Sequence, residues 1–280
     1  MRILLTGPTG QVGSALLDTL PSLGEVLPAD RSNLDLSRPD SIRAAVRAAR
    51  PDVIVNAAAY TAVDSAETEE ALAFRVNRDG PAILAEEAAK LGALLVHFST
   101  DYVFDGEKSA PYVETDAPDP LNAYGRSKLA GERAIQASGC RHLIFRTSWV
   151  YSITGKNFLV TMLRLARDGQ PVRVVDDQRG APTSSRMIAA ATAEALTKLG
   201  EHPGLYHMSA AGRTTWCGFA RTIFREAGIP AQVVPIASSD YPTPARRPRN
   251  SVLDNGLLVT NGIRLPAWES GLQEVLSTNA

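Results

Sequence analysis

The chain has 280 residues, 44% of them hydrophobic and 21% charged, an ordinary composition for one large globular domain or a large one with a smaller companion. A formal net charge of -1 gives no global electrostatic reason to bind nucleic acid or an anionic membrane, while a local basic phosphate site remains compatible. No apolar run approaches the roughly 20 residues of a membrane span, and two cysteines, Cys140 and Cys217, make neither a disulfide framework nor a metal cluster.

The N-terminus reads as a short strand, Arg2-Ile3-Leu4-Leu5, a glycine loop, Thr6-Gly7-Pro8-Thr9-Gly10-Gln11-Val12-Gly13, and a helix with Val12, Leu16, Leu17 and Leu20 on one face. It therefore reads as a working part of the fold and not as a signal peptide. Strand, glycine turn and helix in this order predict a dinucleotide site. The glycines let the backbone turn tightly and approach a pyrophosphate, which the helix N-terminus favours electrostatically. The next strand candidate, Glu25-Val26-Leu27-Pro28-Ala29-Asp30, ends in Asp30, where an acid can bond the adenosine ribose hydroxyls of NAD. Its neighbour Arg31 can instead hold the 2'-phosphate of NADP. The two residues argue in opposite directions, and the choice between NAD and NADP stays open, dual use included.

A helix over roughly 41–49 follows Leu34-Asp35-Leu36, and Asp52-Val53-Ile54-Val55-Asn56 reads as a buried parallel strand. Ala57-Ala58-Ala59-Tyr60 then offers small residues where a cofactor can lie close to the backbone. A long helical region over roughly 69–91 is interrupted near Gly80-Pro81. The strand Leu94–Ser99 places Thr100, Asp101 and Tyr102 just past its carboxyl end, the edge where ligands bind in open α/β sheets. His97 on this strand reads as a packed core residue. Asn122 is positioned to cap a helix carrying Tyr124 and Lys128 and ending near Gly139, and His142–Arg146 is a further buried strand.

Tyr124 and Lys128 are four residues apart, so on a helix they share one face. A phenol with pKa near ~10 is a poor proton donor at neutral pH. A neighbouring ammonium is expected to lower that value and make the pair a general acid. Beyond residue 150 the pattern loosens. It predicts a helix over 157–167, a strand over 172–175, a helix over 186–198, a short strand over 205–208 and a helix near 217–227. The loop holding Arg246, Arg247 and Arg249 beside prolines is a rigid cationic segment able to pair with a diphosphate, or a solvated surface cluster.

GxxGxxG at the start, Ser99 and Thr100 after a central strand, and Tyr124-x-x-x-Lys128 on the next helix resemble the extended short-chain dehydrogenases. Within them, the stretches DVIVNAAAYTAVDSAE, STDYVFDG, NAYGRSKLAGE, FRTSWVY, DQRGAPT and PTPARRPRNS resemble the dTDP-4-dehydrorhamnose reductase family nearly end to end. The resemblance implies an α/β fold, a doubly wound parallel sheet with a smaller C-terminal substrate-binding domain. It implies reduction of the C4 ketone of dTDP-4-dehydro-L-rhamnose by NADPH or NADH, the last step of dTDP-rhamnose synthesis, in the cytoplasm.

By matching motifs, Tyr124 protonates the oxygen, Lys128 lowers its pKa and holds the nicotinamide ribose, and Thr100 bonds the ketone. Cofactor contacts are implied for Gly7, Thr9, Gly10, Gln11, Val12, Gly13, Asp30, Arg31, Asp35, Leu36, Ala57, Ala58, Ala59, Tyr60 and Ser99. Substrate contacts are implied for Asp101, Tyr102, Trp149, Asn157, Arg246 and Arg247. Rival readings are a reductase of another nucleotide-linked 4-keto-deoxysugar and a nucleotide-binding regulatory subunit without turnover.

The expected division assigns residues 1–150, with 186–208, to cofactor and residues 151–185 and 209–280 to substrate. Some family members carry a glutamate after the glycine loop that contributes to a magnesium-bridged dimer. Ala15 stands at that position here and cannot ligate a hard cation. No magnesium is therefore expected, and the chain should be a monomer or a metal-independent dimer.

Overall fold

The computed structural model describes residues 1–278 apart from 168, 170 and 201. Strand β1 (Arg2–Thr6) runs through the glycine loop into α1 (Gln11–Thr19), followed by β2 (Glu25–Ala29), α2 (Pro39–Ala49) and β3 (Val53–Asn56). The long helical region is two helices, α3 (Glu70–Phe74) and α4 (Gly80–Leu91), joined by a π-helical turn, Arg75–Asp79. The interruption expected near Gly80-Pro81 is thus a wide turn just before it, and the chain stays helical throughout. Strand β4 (Leu94–Thr100), α5 (Ala123–Ala137) and β5 (His142–Thr147) complete the regular alternation.

The remainder contains β6 (Val150–Tyr151), α6 (Phe158–Arg167), β7 (Val172–Val175), β8 (Arg179–Gly180), β9 (Thr183–Ser184), α7 (Ser185–Lys198) and β10 (Gly204–His207). After them come β11 (Thr214–Thr215), α8 (Trp216–Glu226), β12 (Val233–Ile236), α9 (Gly256–Thr260) and α10 (Trp268–Ser277). The last two residues of the expected second domain lie outside the described residues.

Six strands form one parallel sheet in the order β10-β5-β4-β3-β1-β2. Strands β1, β3, β4 and β5 are apolar on both faces, as the centre of a parallel sheet covered by helices requires. Alternate residues feed opposite layers. Ile3, Leu5, Val55 and Val96 join α1 and α7 in one core, and Leu4, Ile54, Leu95 and Ile144 join α2 and α4 in the other. Connections leave β1 in one direction and β3 in the other. The reversal opens a crevice at their carboxyl ends, the topological position where such sheets bind ligands.

β10 hydrogen-bonds to β5 at the edge of the large sheet, and α7 packs against α1. The C-terminal half otherwise builds small paired strands: β7 with β12 and β8 with β11 lie against α6 and α8, and β6 with β9 lies against α7 and α10. Ala15 is buried in the core that α1 shares with α7. Among the described residues, no helix is long and apolar enough to cross a membrane.

The glycine loop is held by two close approaches. Gly7 sits at φ +64, and a Cβ on Gly13 would lie 2.0 Å from the Gly7 carbonyl oxygen. Helix α1 can therefore start against the loop only if residue 13 has no side chain. Gly13→Ala should displace the start of α1, destabilise the chain by about 1–3 kcal/mol and weaken dinucleotide binding, read by denaturant unfolding and by NADPH fluorescence titration.

Candidate active site

The crevice is lined by the loops that follow β1, β2, β3, β4 and β5, and by the start of α5. At the β1 end, Gly10 is the N-cap of α1 and provides no side-chain cap, so the first N–H groups of the helix face outward unpaired by a capping side chain. With Gly7 and Gly13 stripped of bulk, this is a cradle for a phosphate. Gln11 is tied down, its Oε1 accepting from Ser152 Oγ at 3.1 Å and Asn157 Nδ2 at 2.8 Å. Thr9 is exposed beside it, and Val12 packs on the core.

Asp30 closes a turn after β2, with Oδ1 accepting from Ser32 N at 2.8 Å, Ser32 Oγ at 2.6 Å and Asn33 N at 3.3 Å. All three bonds go to one oxygen, which leaves Oδ2 for a ribose hydroxyl. The hydroxyl and amide of Ser32 hold this carboxylate below the usual range. Arg31 is 82% exposed and pairs with Asp35 at 3.5 Å. Asp35 also accepts from Ser37, and Leu36 is buried where a Cβ on Gly80 would strike its carbonyl oxygen. Ala57, Ala58, Ala59 and Tyr60 are half-buried along the β3 edge, and Asn77 bonds both backbone polar atoms of Tyr60.

Helix α5 is set by its first residues. Asn122 Oδ1 accepts from Gly125 N at 2.8 Å, the expected cap, while Nδ2 donates to the Arg246 carbonyl oxygen at 2.8 Å. The cap therefore also ties the arginine-rich loop to the helix that carries Tyr124 and Lys128. Thr100 ends β4, and its Oγ1 accepts from Tyr102 N at 3.1 Å and donates to Asp101 Oδ1 at 3.1 Å. Tyr102 meets Tyr124 edge to face with centroids 6.1 Å apart.

The electrostatics differ from the simple expectation. Burial pushes the Tyr124 phenol up to about 12, while Thr100 pulls it the other way and Asp101 adds to the rise. Desolvation outweighs the pull of Thr100. Lys128 is 2% exposed, and Nζ donates to the Phe98 carbonyl oxygen at 2.6 Å and lies 3.2 Å from His97 Nε2. Burial lowers it to about 8, opposed by Glu132. His97 is buried as expected, but it is a polar neighbour of Lys128 and not only core filling. Burial raises Tyr102, and pushes Asp101 up to about 7 against the hydroxyls around it.

Ser99, expected at the cofactor, turns its hydroxyl to Glu132. Glu132 forms a buried two-point pair with Arg146, at 2.9 and 2.7 Å. Three apolar-looking segments thus hide one polar network behind α5. Its residue types and spacing carried no signal, since Glu132 and Arg146 meet only through the fold.

Trp149 adopts φ +47 and lies flat on Trp216, with centroids 3.5 Å apart. Gly180 abuts the other side, where a Cβ would lie 2.3 Å from the indole. Trp216 and Phe158 continue into a cavity of 690 Å³ whose wall includes Asp64, Tyr241 and Arg247. Arg247 donates to Asp64 at 3.1 and 2.8 Å, so its charge is already partnered within the chain. Arg246 is exposed. Asn157 spends its amide on Gln11 and on the carbonyls of Ser152 and Thr154, and caps α6 through Val160 N. It is placed as a clasp between the glycine loop and α6.

The family model described as the RmlD substrate binding domain matches residues 1–280. The chain belongs to the dTDP-4-dehydrorhamnose reductase family. It is 50% identical over 284 residues to the dTDP-4-dehydrorhamnose reductase of Burkholderia thailandensis, covering 96% of this chain and 95% of that one. It is 45% identical to the Escherichia coli enzyme of that name, over 99% and 97% of the two chains. A crystal structure of the Bacillus anthracis reductase in complex with NADP superposes with a TM-score of 0.93 at 36% identity, over 99% of each chain.

Asp101 makes the site sensitive to pH. Its carboxyl, raised to about 7, binds more protons folded than unfolded between pH ~4 and ~7, so its ionisation costs stability as pH rises through that window. Asp101→Asn should therefore gain stability relative to the parent on going from pH 5 to pH 8, measured by urea unfolding. An unchanged difference between the two pH values would contradict the buried carboxyl.

Proposed function

We propose that this chain reduces the C4 ketone of dTDP-4-dehydro-L-rhamnose to dTDP-L-rhamnose with NADPH or NADH, completing dTDP-rhamnose synthesis. The observation that carries the reading is the Thr100 hydroxyl reaching the Tyr124 phenol, with Lys128 buried one turn further along the same helix, in a member of this reductase family. The residues present fit a dinucleotide: Gly7 and Gly13 leave the loop without bulk, α1 begins without a side-chain cap, and Asp30 keeps an oxygen free. When bound, the nicotinamide supplies the hydride that reaches the C4 carbon.

The chain's own residues supply the rest. A phenol held near 12 keeps its proton at neutral pH, so Tyr124 is present as the protonated donor, and positive charge on Lys128 would be needed to ease transfer of that proton to the oxygen. Thr100 Oγ1 is at hand to bond the ketone, so charge developing on that oxygen meets donors already in place. Lys128 gains from becoming charged when the phenol loses its proton, and its position on α5 suits it to hold the nicotinamide ribose. Asp101, Tyr102 and the Trp149–Trp216 stack support a sugar pocket, and the cavity beside Trp216 and Arg247 supports a nucleotide arm. Asp30 and Arg31 support use of both cofactors.

The division proposed is a cofactor unit over 1–150 with 186–208, and a substrate unit over the remaining segments. A cytoplasmic location accords with buried, free Cys140 and Cys217. Ala15 supports an assembly that does without magnesium.

Tyr124→Phe keeps the ring and removes the acid. It should lower kcat by 10²-fold or more while NADPH affinity changes little, measured by steady-state turnover and fluorescence titration. Retained turnover would remove Tyr124 as the proton donor. Size-exclusion chromatography should give the same mass with and without EDTA, and an EDTA-sensitive dimer would overturn the metal-free assembly.

A further inference from the structure

On the sheet side, Lys128 meets a directional chain of hydrogen bonds that proton transfer by Tyr124 does not require. The Ala58 amide can only donate, and it donates to Thr6 Oγ1 at 3.3 Å. Thr6 Oγ1 in turn donates to Asn56 Oδ1 at 2.6 Å, which turns Asn56 Nδ2 toward His97 Nδ1 at 3.0 Å. With Nδ1 accepting, the proton of a neutral imidazole sits on Nε2. That nitrogen lies 3.2 Å from Lys128 Nζ. An ammonium at Nζ would set donor against donor. An amine accepts from Nε2–H through its lone pair and still donates to the Phe98 carbonyl oxygen. Thr6, Asn56, His97 and Lys128 are all buried, so the mismatch is not relieved by exposure to solvent.

We propose that His97, oriented by Thr6 and Asn56, is a positioning residue acting through Lys128: it presents Nε2–H to Nζ and shifts the balance at Nζ from the ammonium toward the amine. The inference deepens the reductase reading, which places Lys128 at the nicotinamide ribose. It leaves Lys128 poised to take up a proton from solvent water as Tyr124 gives its own to the substrate oxygen.

The surrounding groups are consistent with this. Burial holds His97 well below its ordinary value, and any charge on Lys128 acts in the same sense, so the ring stays neutral. Burial lowers Lys128 to about 8, with Glu132 on its own helix acting in the opposite sense. Glu132 is itself paired with Arg146 on β5. Tyr124 lies one turn earlier on α5, and Asp101 beyond β4 acts on that phenol. From the α3 side, Glu67 and Glu70 reach α5 at Ala123 N and at the exposed Arg126.

The chain contains five lysines, Lys90, Lys108, Lys128, Lys156 and Lys198, so the ¹³C-lysine NMR spectrum of the whole protein is simple. The Cε–Hε signal that Lys128→Arg removes reports the Nζ titration without cofactor or sugar. Thr6→Val frees Asn56 to turn over and His97 to move its proton to Nδ1, which makes Nε2 an acceptor for an ammonium. His97→Gln can turn its carbonyl oxygen to Nζ. Both variants should raise the Lys128 midpoint by about one pH unit, a tenfold gain in proton affinity, and any limb of the turnover profile that follows Lys128 should move with it.

A midpoint that stays or falls in the folded variants would overturn the proposal. Thr6→Val alone decides the matter if His97→Gln does not fold. A parent protein without keto-sugar turnover would refute the reductase reading instead, and the NMR midpoints would still stand on their own.

Discussion

A lysine carried into the interior against a sheet, where its ammonium is disfavoured, is the constraint around which this site is built. Lys128 is nearly inaccessible, and removing such a charge from water is costly unless its surroundings compensate. Strand β4 supplies the Phe98 carbonyl oxygen and the His97 ring, and α5 supplies Glu132 one turn further on. Glu132 is itself a buried charge, and it is balanced by Arg146 from β5 and by the Ser99 hydroxyl. One buried lysine thus fixes the polar content of three neighbouring elements. The parallel sheet is what makes this possible, because its central strands bury both faces and present side chains at a constant register.

The same burial sets the chemistry of the neighbouring phenol. Tyr124 holds its proton more firmly than a solvated tyrosine, because loss of water around the phenol outweighs the Thr100 hydroxyl beside it. Thr100 and Asp101 are presented by the end of β4 on the same side. The cap Asn122 and the Asp64–Arg247 pair then draw the C-terminal loop onto the start of α5. The loop of three arginines is therefore an anchored wall: one guanidinium is neutralised within the chain, and the exposed Arg246 keeps the charge that a diphosphate can meet.

The repeated strand-and-helix pattern made the sheet legible up to β5, because buried parallel strands such as Val53–Asn56 are short apolar runs after turns. The glycine loop, the Asn122 cap and the Tyr124–Lys128 face were legible for the same reason: each is a local relation within a few residues. The C-terminal half was less so. Val233–Ile236 contains Pro235, which breaks an ordinary strand pattern and is tolerated here in a two-stranded pair. Long-range polar partners were not legible at all. Glu132 with Arg146, Asp64 with Arg247 and Asn157 with Gln11 are joined only by tertiary folding. The rise of the Tyr124 pKa escaped for a related reason, since a spacing shows which charge is near but not how much water is lost.

The most direct measurement of the central claim is oxidation of NADPH and of NADH by the purified protein with dTDP-4-dehydro-L-rhamnose generated in situ, with the sugar product identified. The account predicts oxidation that depends on the keto-sugar and yields dTDP-L-rhamnose. Binding of the dinucleotide without oxidation, or formation of the C4 epimer, would contradict it.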